Sequence, residues 1–370
     1  MDSSIDRVYL NLPNEDLNDI YIADNIFNNL FICIEDNLNK DYIIKRLEKI
    51  KNYRIILDKL RLLPIIEQRS EEWYNIRQTM ISASDFGQAL NKGDYGTQKE
   101  LIIKKVTNKS KDITYKAPLL WGVKYEEVAT RIYQKRNNVR VFEFGLIKHN
   151  EYEFIGASPD GISELGIMLE IKCPFKRKIS GKILDQYYYQ IQGQLEVCDL
   201  EECDFLECEI SEYETEKDFI ADTYNDFILT KDLKEKGIVI SYKNIEDEDF
   251  SYYYSNINDN INNMITWKNN IVTNFDIDVE YKVEYWKLIK YNNQRVYRDR
   301  DFFNKNIDNL KFIWDKILFY RNNNKKFIKD IVNNKNSKGK IYEFNKRDND
   351  VVINGFAIKK TTSESDSLNI

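Results

Sequence analysis

Proline is scarce, with five in 370 residues, and none follows Pro174. Proline breaks helix interiors, so the proline-free second half reads as mostly helical. Glycine is also sparse, at 13 residues, and together these counts exclude collagen-like and proline-rich chains. Five cysteines form an odd, thin set, which argues against a disulfide framework and for a reducing interior. The single histidine, His149, reads as a surface loop residue, so Ser-His or Cys-His nucleophilic catalysis has no support. No apolar run approaches the roughly 18 residues of a spanning helix. The start MDSSIDRVYL has neither a basic nor an apolar signal region. The reading is a soluble, intracellular protein with no membrane partner. A GxxxxGK[ST] loop is missing too, so no ATP motor is expected. The net charge of −6 and pI near 5.3 leave no global basic footprint. That argues only weakly against DNA as a partner, because basic charge can be local and acidic metal ligands lower the total.

What is present can build a core: 42% of residues are hydrophobic and 13% aromatic, which excludes a disordered chain. Residues 1–64 read as a helical prefix, with helices at 19–36 and 41–63. In the second helix Ile44, Leu47, Ile50, Ile55, Leu60 and Leu63 recur at near-helical spacing. Residues 65–210 alternate helices and short strands, the pattern of an α/β (α+β) core with a mixed sheet. Ser70 and the Thr97–Glu100 capping box mark helix starts. Residues 211–321 read as a mostly helical extension with one strand at 236–242, and 322–370 as an Asn/Lys-rich tail.

The chemistry concentrates in Ser158-Pro159-Asp160-Gly161 and Met168-Leu169-Glu170-Ile171-Lys172. On a strand Glu170 and Lys172 share a face, while Leu169 and Ile171 point the other way. A hairpin over 153–172 brings Asp160 beside Glu170, because cross-strand neighbours lie about 5 Å apart. Two carboxylates so close repel unless they share a cation. A hard divalent ion, Mg²⁺ or Mn²⁺, is the natural occupant. Lys172 is then placed to orient or deprotonate a metal-bound water, the layout of metal-assisted phosphodiester hydrolysis.

At this point the sequence resembles a known family, the PD-(D/E)XK nucleases, and within it the lambda exonuclease and YqaJ-type viral recombinase branch. Four motifs in order over residues 68–210 carry the resemblance. They are Trp73-x3-Arg77 leading to Ser82-Ala83-Ser84; Leu120-Trp121-Gly122-x2-Tyr125-Glu126; the Asp160-x9-Glu170-x-Lys172 stretch; and Tyr187-x2-Gln190-Ile191-Gln192. The resemblance implies a restriction-endonuclease-like core and two Mg²⁺ or Mn²⁺ ions held by Asp160, Glu170, Glu126 and the carbonyl of Ile171. It implies Lys172 as the catalytic lysine, with Gln192 and Gln190 facing the scissile phosphate. It also implies a 5′-phosphate pocket of Arg77, Ser84 and Ser158. Helical phase favours Glu126 over Glu127, which falls with Lys124 and Arg131 on a side read as solvated.

A basic run after the active strand, Lys176, Arg177, Lys178 and Lys182, would meet a DNA backbone. A second run, Lys104, Lys105, Lys109, Lys111 and Lys116, reads as solvated surface. Cys198, Cys203 and Cys208, with Cys33 upstream, lack ferredoxin spacing and read as core. The cations and aromatics from Trp286 to Phe303 read as helix packing with a charged outer face. The function expected is a Mg²⁺-dependent 5′→3′ exonuclease on double-stranded DNA ends, in recombination or repair of a viral-type replicon. A single-strand annealing protein and a homo-oligomer are possible partners. The alternatives are a structure- or sequence-specific endonuclease of the same fold and a catalytically idle DNA-end-binding module. The intact Asp160, Glu170 and Lys172 argue against the idle module.

Overall fold

The computed structural model describes residue 6, residues 40–93, 96–107, 117–224, 229–247 and 249–332, and three short strands between 343 and 358. The helix expected at 19–36, Cys33, and Lys109, Lys111 and Lys116 lie outside the described residues.

Along the chain the elements are α1 (Lys40–Arg61), α2 (Glu71–Gln78), β1 (Ile81–Ser82), a 3-10 turn at Ala83–Asp85, α3 (Phe86–Ala89), α4 (Gln98–Val106) and α5 (Ala117–Asn137). The strands β2 (Val141–Phe142), β3 (Ile147–Lys148), β4 (Ile155–Ala157), β5 (Gly161–Ser163) and β6 (Met168–Lys172) follow, then α6 (Asp185–Cys198) and β7 (Glu202–Glu212). The last part contributes α7 (Glu216–Ala221), β8 (Lys236–Asn244), β9 (Ser251–Tyr254), α8 (Ile261–Thr273), β10 (Val279–Tyr297) and α9 (Arg300–Asn322). Both expected helix starts are capped. The amide of Trp73 donates to Ser70 Oγ, and Thr97 and Glu100 bond reciprocally.

A seven-stranded mixed sheet in the order β2-β5-β6-β7-β10-β8-β9 organises the molecule. Only β6 and β7 run parallel in it. Their crossover contains α6, as parallel pairing requires. Because β6 is covered on both faces, its side chains divide between two hydrophobic clusters. Leu169 and Ile171 join Tyr125, Val128 and Ile132 of α5, whereas Met168 joins Ile191 and Leu195 of α6. Cys203 and Cys208 likewise fall in different clusters on opposite faces of β7, with Cys198 beside the first. Burial pushes all three thiols up. The core reading of these cysteines therefore has a direct structural counterpart.

Three expectations need correction. First, α1 buries Ile43, Leu47, Ile50, Tyr53, Leu57 and Leu60 and leaves Ile55 exposed, and Leu63, beyond its end, is exposed too. Leu47, Ile50 and Leu60 are buried as expected, but the stripe runs in 3–4 residue steps from Ile43 and leaves out Ile44 and Ile55. Second, residues 211–321 are not mostly helical, because β8, β9 and β10 extend the central sheet. The 19-residue β10 pairs with β7 on one side and β8 on the other. Its alternation of Val279, Tyr281, Val283 and Tyr285 with charged residues is a strand period. The cations read as an outer helical face are held in ion pairs: Arg295 with Glu202 and Asp204, Arg298 with Glu196 and Asp199, and Arg300 with Glu201. Third, His149 does lie in the loop between β3 and β4, but under cover rather than at the surface, with its side chain 9% exposed. Its Nδ1 accepts from the amides of Glu151 and Tyr152, and its ring stacks on Phe303.

The added strands also cover a face of α5 that the sequence left to solvent. Lys124 is buried and pairs with Glu212 at 2.6 Å and Glu284 at 3.2 Å. Arg131 and Lys135 donate to backbone carbonyls of Tyr254, Ser255 and Ile257. This packing fixes α5 against the sheet, and α5 carries Glu126.

Close backbone approach positions the segment before α2. A Cβ at Gly145 would sit 1.9 Å from the Ile66 carbonyl oxygen, a contact that only backbone movement relieves. Gly145→Ala should therefore cost about 2 kcal/mol or more, read as a lower denaturant midpoint at unchanged slope. A midpoint equal to wild type would mean that the segment carrying Gln68 and Arg69 yields freely.

Candidate active site

The β5–β6 hairpin sets the site. Gly161 pairs with Leu169 and Ile162 with Met168, so the register continued by one residue sets Asp160 opposite Glu170. The side chain of Asp160 reaches across, and its Oδ2 accepts from the Ile171 amide at 2.7 Å. Glu170 is fully buried. Lys172 donates to its Oε1, as does Gln190 Nε2 at 2.7 Å, while Gln194 Nε2 donates to Oε2 at 2.7 Å. Every oxygen of this buried carboxylate is thus oriented by a donor.

Electrostatics mark the cluster. Burial raises the Asp160 carboxyl well above its ordinary value, and the charges of Glu170 and Glu126 raise it further. Burial also raises Glu126, with Glu170 adding to it and Arg69 and Lys172 opposing. Burial works against charge on Lys172, yet Glu170 and Asp160 hold its proton above the usual lysine range. Three carboxylates against two cations, Lys172 and Arg69, leave a net negative set, which a divalent ion would relieve. Among the described residues no group of three or more His, Cys, Asp or Glu side chains forms a ready metal site. Mg²⁺ characteristically takes one or two carboxylates and keeps several waters, so an oxygen-only donor set drawn from Asp160, Glu170 and Glu126 fits such an ion without all three closing on it.

Glu126 receives Arg69 Nη2 at 3.0 and 3.2 Å. Arg69 holds a left-handed backbone, φ 70°, and the sequence reading missed it. Both residues, with Asp160, Tyr252 and Tyr254, line a cavity of about 430 Å³. Sequence reasoning also missed Gln194. Helical spacing held the signal, because 190 and 194 are one turn apart and share a face, whereas 190 and 192 do not.

Gln192 is accordingly turned away from Glu170. Its Nε2 donates to the Tyr297 carbonyl at 2.9 Å, and its Oε1 accepts from the Asp299 amide at 2.7 Å. It clasps the joint between β10 and α9. Arg177 donates to the buried Glu207 at 2.6 Å, so this cation of the basic run is committed to the fold. Lys176 and Lys178 are exposed, with Lys176 over the Phe175 ring.

The expected phosphate residues meet around α2. Arg77 stacks on Trp73 at 4.2 Å and donates from Nη2 to Ser82 Oγ at 3.0 Å and Ser84 Oγ at 2.9 Å. Trp73 Nε1 donates to Ser158 Oγ at 3.0 Å. Ser158 thus reaches this group through Trp73, and it lies two residues from Asp160. Of the run at Lys104 and Lys105, the second is not solvated surface and the first is half-buried. Lys105 is 1% exposed, and both ammonium groups pair with the buried Asp85.

Residues 72–201 match the family model of the YqaJ-like viral recombinase domain. An uncharacterised protein of Acanthamoeba polyphaga mimivirus is 32% identical over 74% of this chain and 56% of its own length. A protein of African swine fever virus is 24% identical over 35% of this chain and 46% of its own length. The chain therefore spans about half the length of these viral relatives. Among solved structures, an alkaline exonuclease from Laribacter hongkongensis is similar with a TM-score of 0.44 at 17% identity, covering 70% of this chain and 97% of that one.

Proposed function

The chain carries a YqaJ-like viral recombinase domain, and from that premise we propose that it is a divalent-metal-dependent deoxyribonuclease, a 5′→3′ exonuclease on double-stranded DNA ends. Its role on this reading is DNA recombination or repair. The observation that supports it most is one short segment joining two kinds of chemistry. Ser158 contacts the Arg77 group through Trp73, and Asp160, two residues on, belongs to the carboxylate cluster. A phosphate at the first and a scissile bond at the second would count nucleotides from an end.

In this reading Asp160, Glu170 and Glu126 hold Mg²⁺, with the Ile171 carbonyl available beside them. The ion would supply charge neutralisation and a polarised water. The chain's own residues do the rest. Gln190 and Gln194 fix the Glu170 carboxylate, and a fixed first layer is what a reaction of this kind needs. Lys172 keeps its proton while Glu170 and Asp160 are unneutralised, and yields it more readily once they are neutralised, which suits proton transfer. Arg77, Ser84 and Ser158 take the terminal phosphate by charge-assisted hydrogen bonds. Lys176 and Lys178 meet the backbone, and Gln192 acts through the joint it holds.

The test compares initial rates on matched linear duplexes with 5′-phosphate or 5′-hydroxyl ends, and on closed circles. Hydrogen bonds to charged groups are worth about 1.5–3 kcal/mol each, so phosphorylated ends should be cut about tenfold faster or more. Arg77→Ala should erase that ratio. Equal rates on both ends, or ready cutting of closed circles, would replace the exonuclease with an endonuclease of the same fold. Binding of ends with no cleavage in Mg²⁺ or Mn²⁺ would leave an idle end-binding module.

A further inference from the structure

Asp85 sits under the Arg77 group as a buried hub. Its Oδ1 receives Lys104 Nζ at 3.1 Å, and its Oδ2 receives Lys105 Nζ at 3.0 Å and Ser82 Oγ at 2.7 Å. Ser82 Oγ in turn accepts from Arg77, and Lys105 Nζ also donates to the Arg77 carbonyl at 2.6 Å. One carboxylate is thus surrounded by three cations, Arg77, Lys104 and Lys105, an excess of two positive charges. The carboxylate is a lasting anion. Burial pushes the Asp85 carboxyl up, but Lys105, Lys104, Arg77 and the Ser82 hydroxyl hold it well below the ordinary range. Two of the cations are spent on architecture or on the expected contact. Lys105 is enclosed, and Arg77 is stacked and forked onto serines. Lys104 differs, because its side chain is 34% exposed and, among the described residues, it is held by Asp85 alone.

We propose that Lys104 is the second cation of the terminal-phosphate pocket, and that the excess of two positive charges selects a phosphomonoester dianion over a phosphodiester. The argument is charge matching. A terminal phosphate carries about −1.5 to −2 at neutral pH, whereas each internal phosphodiester carries one negative charge. A pocket with one spare cation would hold either, but the second charge is balanced only by the monoester. Asp85 anchors Lys104 when no phosphate is bound, and Ser82 and Ser84 pass the same anchoring to Arg77. The inference deepens the end-reading proposed above and rests on it.

The full chain is tested as wild type, Lys104→Gln and Lys104→Arg, reading the ratio of initial rates on 5′-phosphorylated and 5′-hydroxyl duplexes. Anisotropy titration of the same two duplexes in EDTA gives the binding ratio independently of cleavage. Lys104→Gln should lower both ratios by fivefold or more, and Lys104→Arg should restore them. If wild type itself treats the two ends alike, the end-reading falls and this inference with it. If wild type discriminates and Lys104→Gln discriminates equally well, the inference alone falls. A loss that Lys104→Arg does not restore also overturns it, because charge would then not be the cause.

Discussion

Asp160→Asn and Glu170→Gln should each abolish cleavage in Mg²⁺, a loss of several orders of magnitude, while DNA binding persists. Neutral amides hold a hard divalent ion poorly, and removing negative charge favours an anionic ligand. A stability change separates this cause from damage to the fold. In the folded protein Asp160 is raised above its ordinary carboxyl value by burial, Glu170 and Glu126. Between the ordinary and the raised value, the native state therefore binds more protons than the unfolded one. Stability without metal falls as pH rises through that window. At neutral pH the Asp160 charge is a cost, and Asp160→Asn removes it while its amide oxygen can still accept from Ile171. The variant should be inactive yet more stable than wild type in EDTA at neutral pH, a gain that shrinks toward pH 4. Denaturant unfolding at two pH values, beside a cleavage assay, reads both effects. Near wild-type cleavage by Asp160→Asn would sink the metal site, and an inactive but less stable variant would refute the carboxylate repulsion.

The centre of the site was legible because period and chemistry coincide there. Glu170 and Lys172 alternate with Leu169 and Ile171, although the hairpin itself turns at Glu164–Gly166, after β5, and not at Pro159–Gly161. Features set by packing from distant sequence were not. Lys104 and Lys105 look like one more basic run until Asp85, some twenty residues earlier, is folded beneath them. Lys124 looks solvated until β10 and the end of β7 bring Glu284 and Glu212 over α5. The resemblance sets Gln190 and Gln192 together at the site, but positions two apart diverge on a helix, and of the pair only Gln190 bonds Glu170. The strand character of β10 was present in its period of two. Absence of proline permits a strand as readily as a helix, so the period of two is the signal that separates them.

Glu126 and Glu127 make the sharpest test of the remaining carboxylate. Both line the same cavity of about 430 Å³, so position at the cavity wall does not separate them. Their partners do. Glu127 is bonded to Arg131 one turn on, at 2.5 Å, with about a third of each side chain exposed. Such half-exposed i,i+4 pairs contribute at most about 0.5 kcal/mol. Glu126 is 31% exposed, much like Glu127, and is bonded to Arg69, but its carboxyl is raised by its surroundings and by the Glu170 charge, which ties it electrostatically to Glu170. Glu126→Gln should therefore depress cleavage by a hundredfold or more, whereas Glu127→Gln should stay within about twofold of wild type. The same pair differs in its response to Mg²⁺. Thermal stabilisation by the ion reflects binding to the native state, so it should shrink in Glu126→Gln and persist in Glu127→Gln. Equal losses of activity from both would mean that the phase of α5 is misassigned. A large loss from Glu126→Gln with full Mg²⁺ stabilisation would move Glu126 from the metal to the alignment of Arg69.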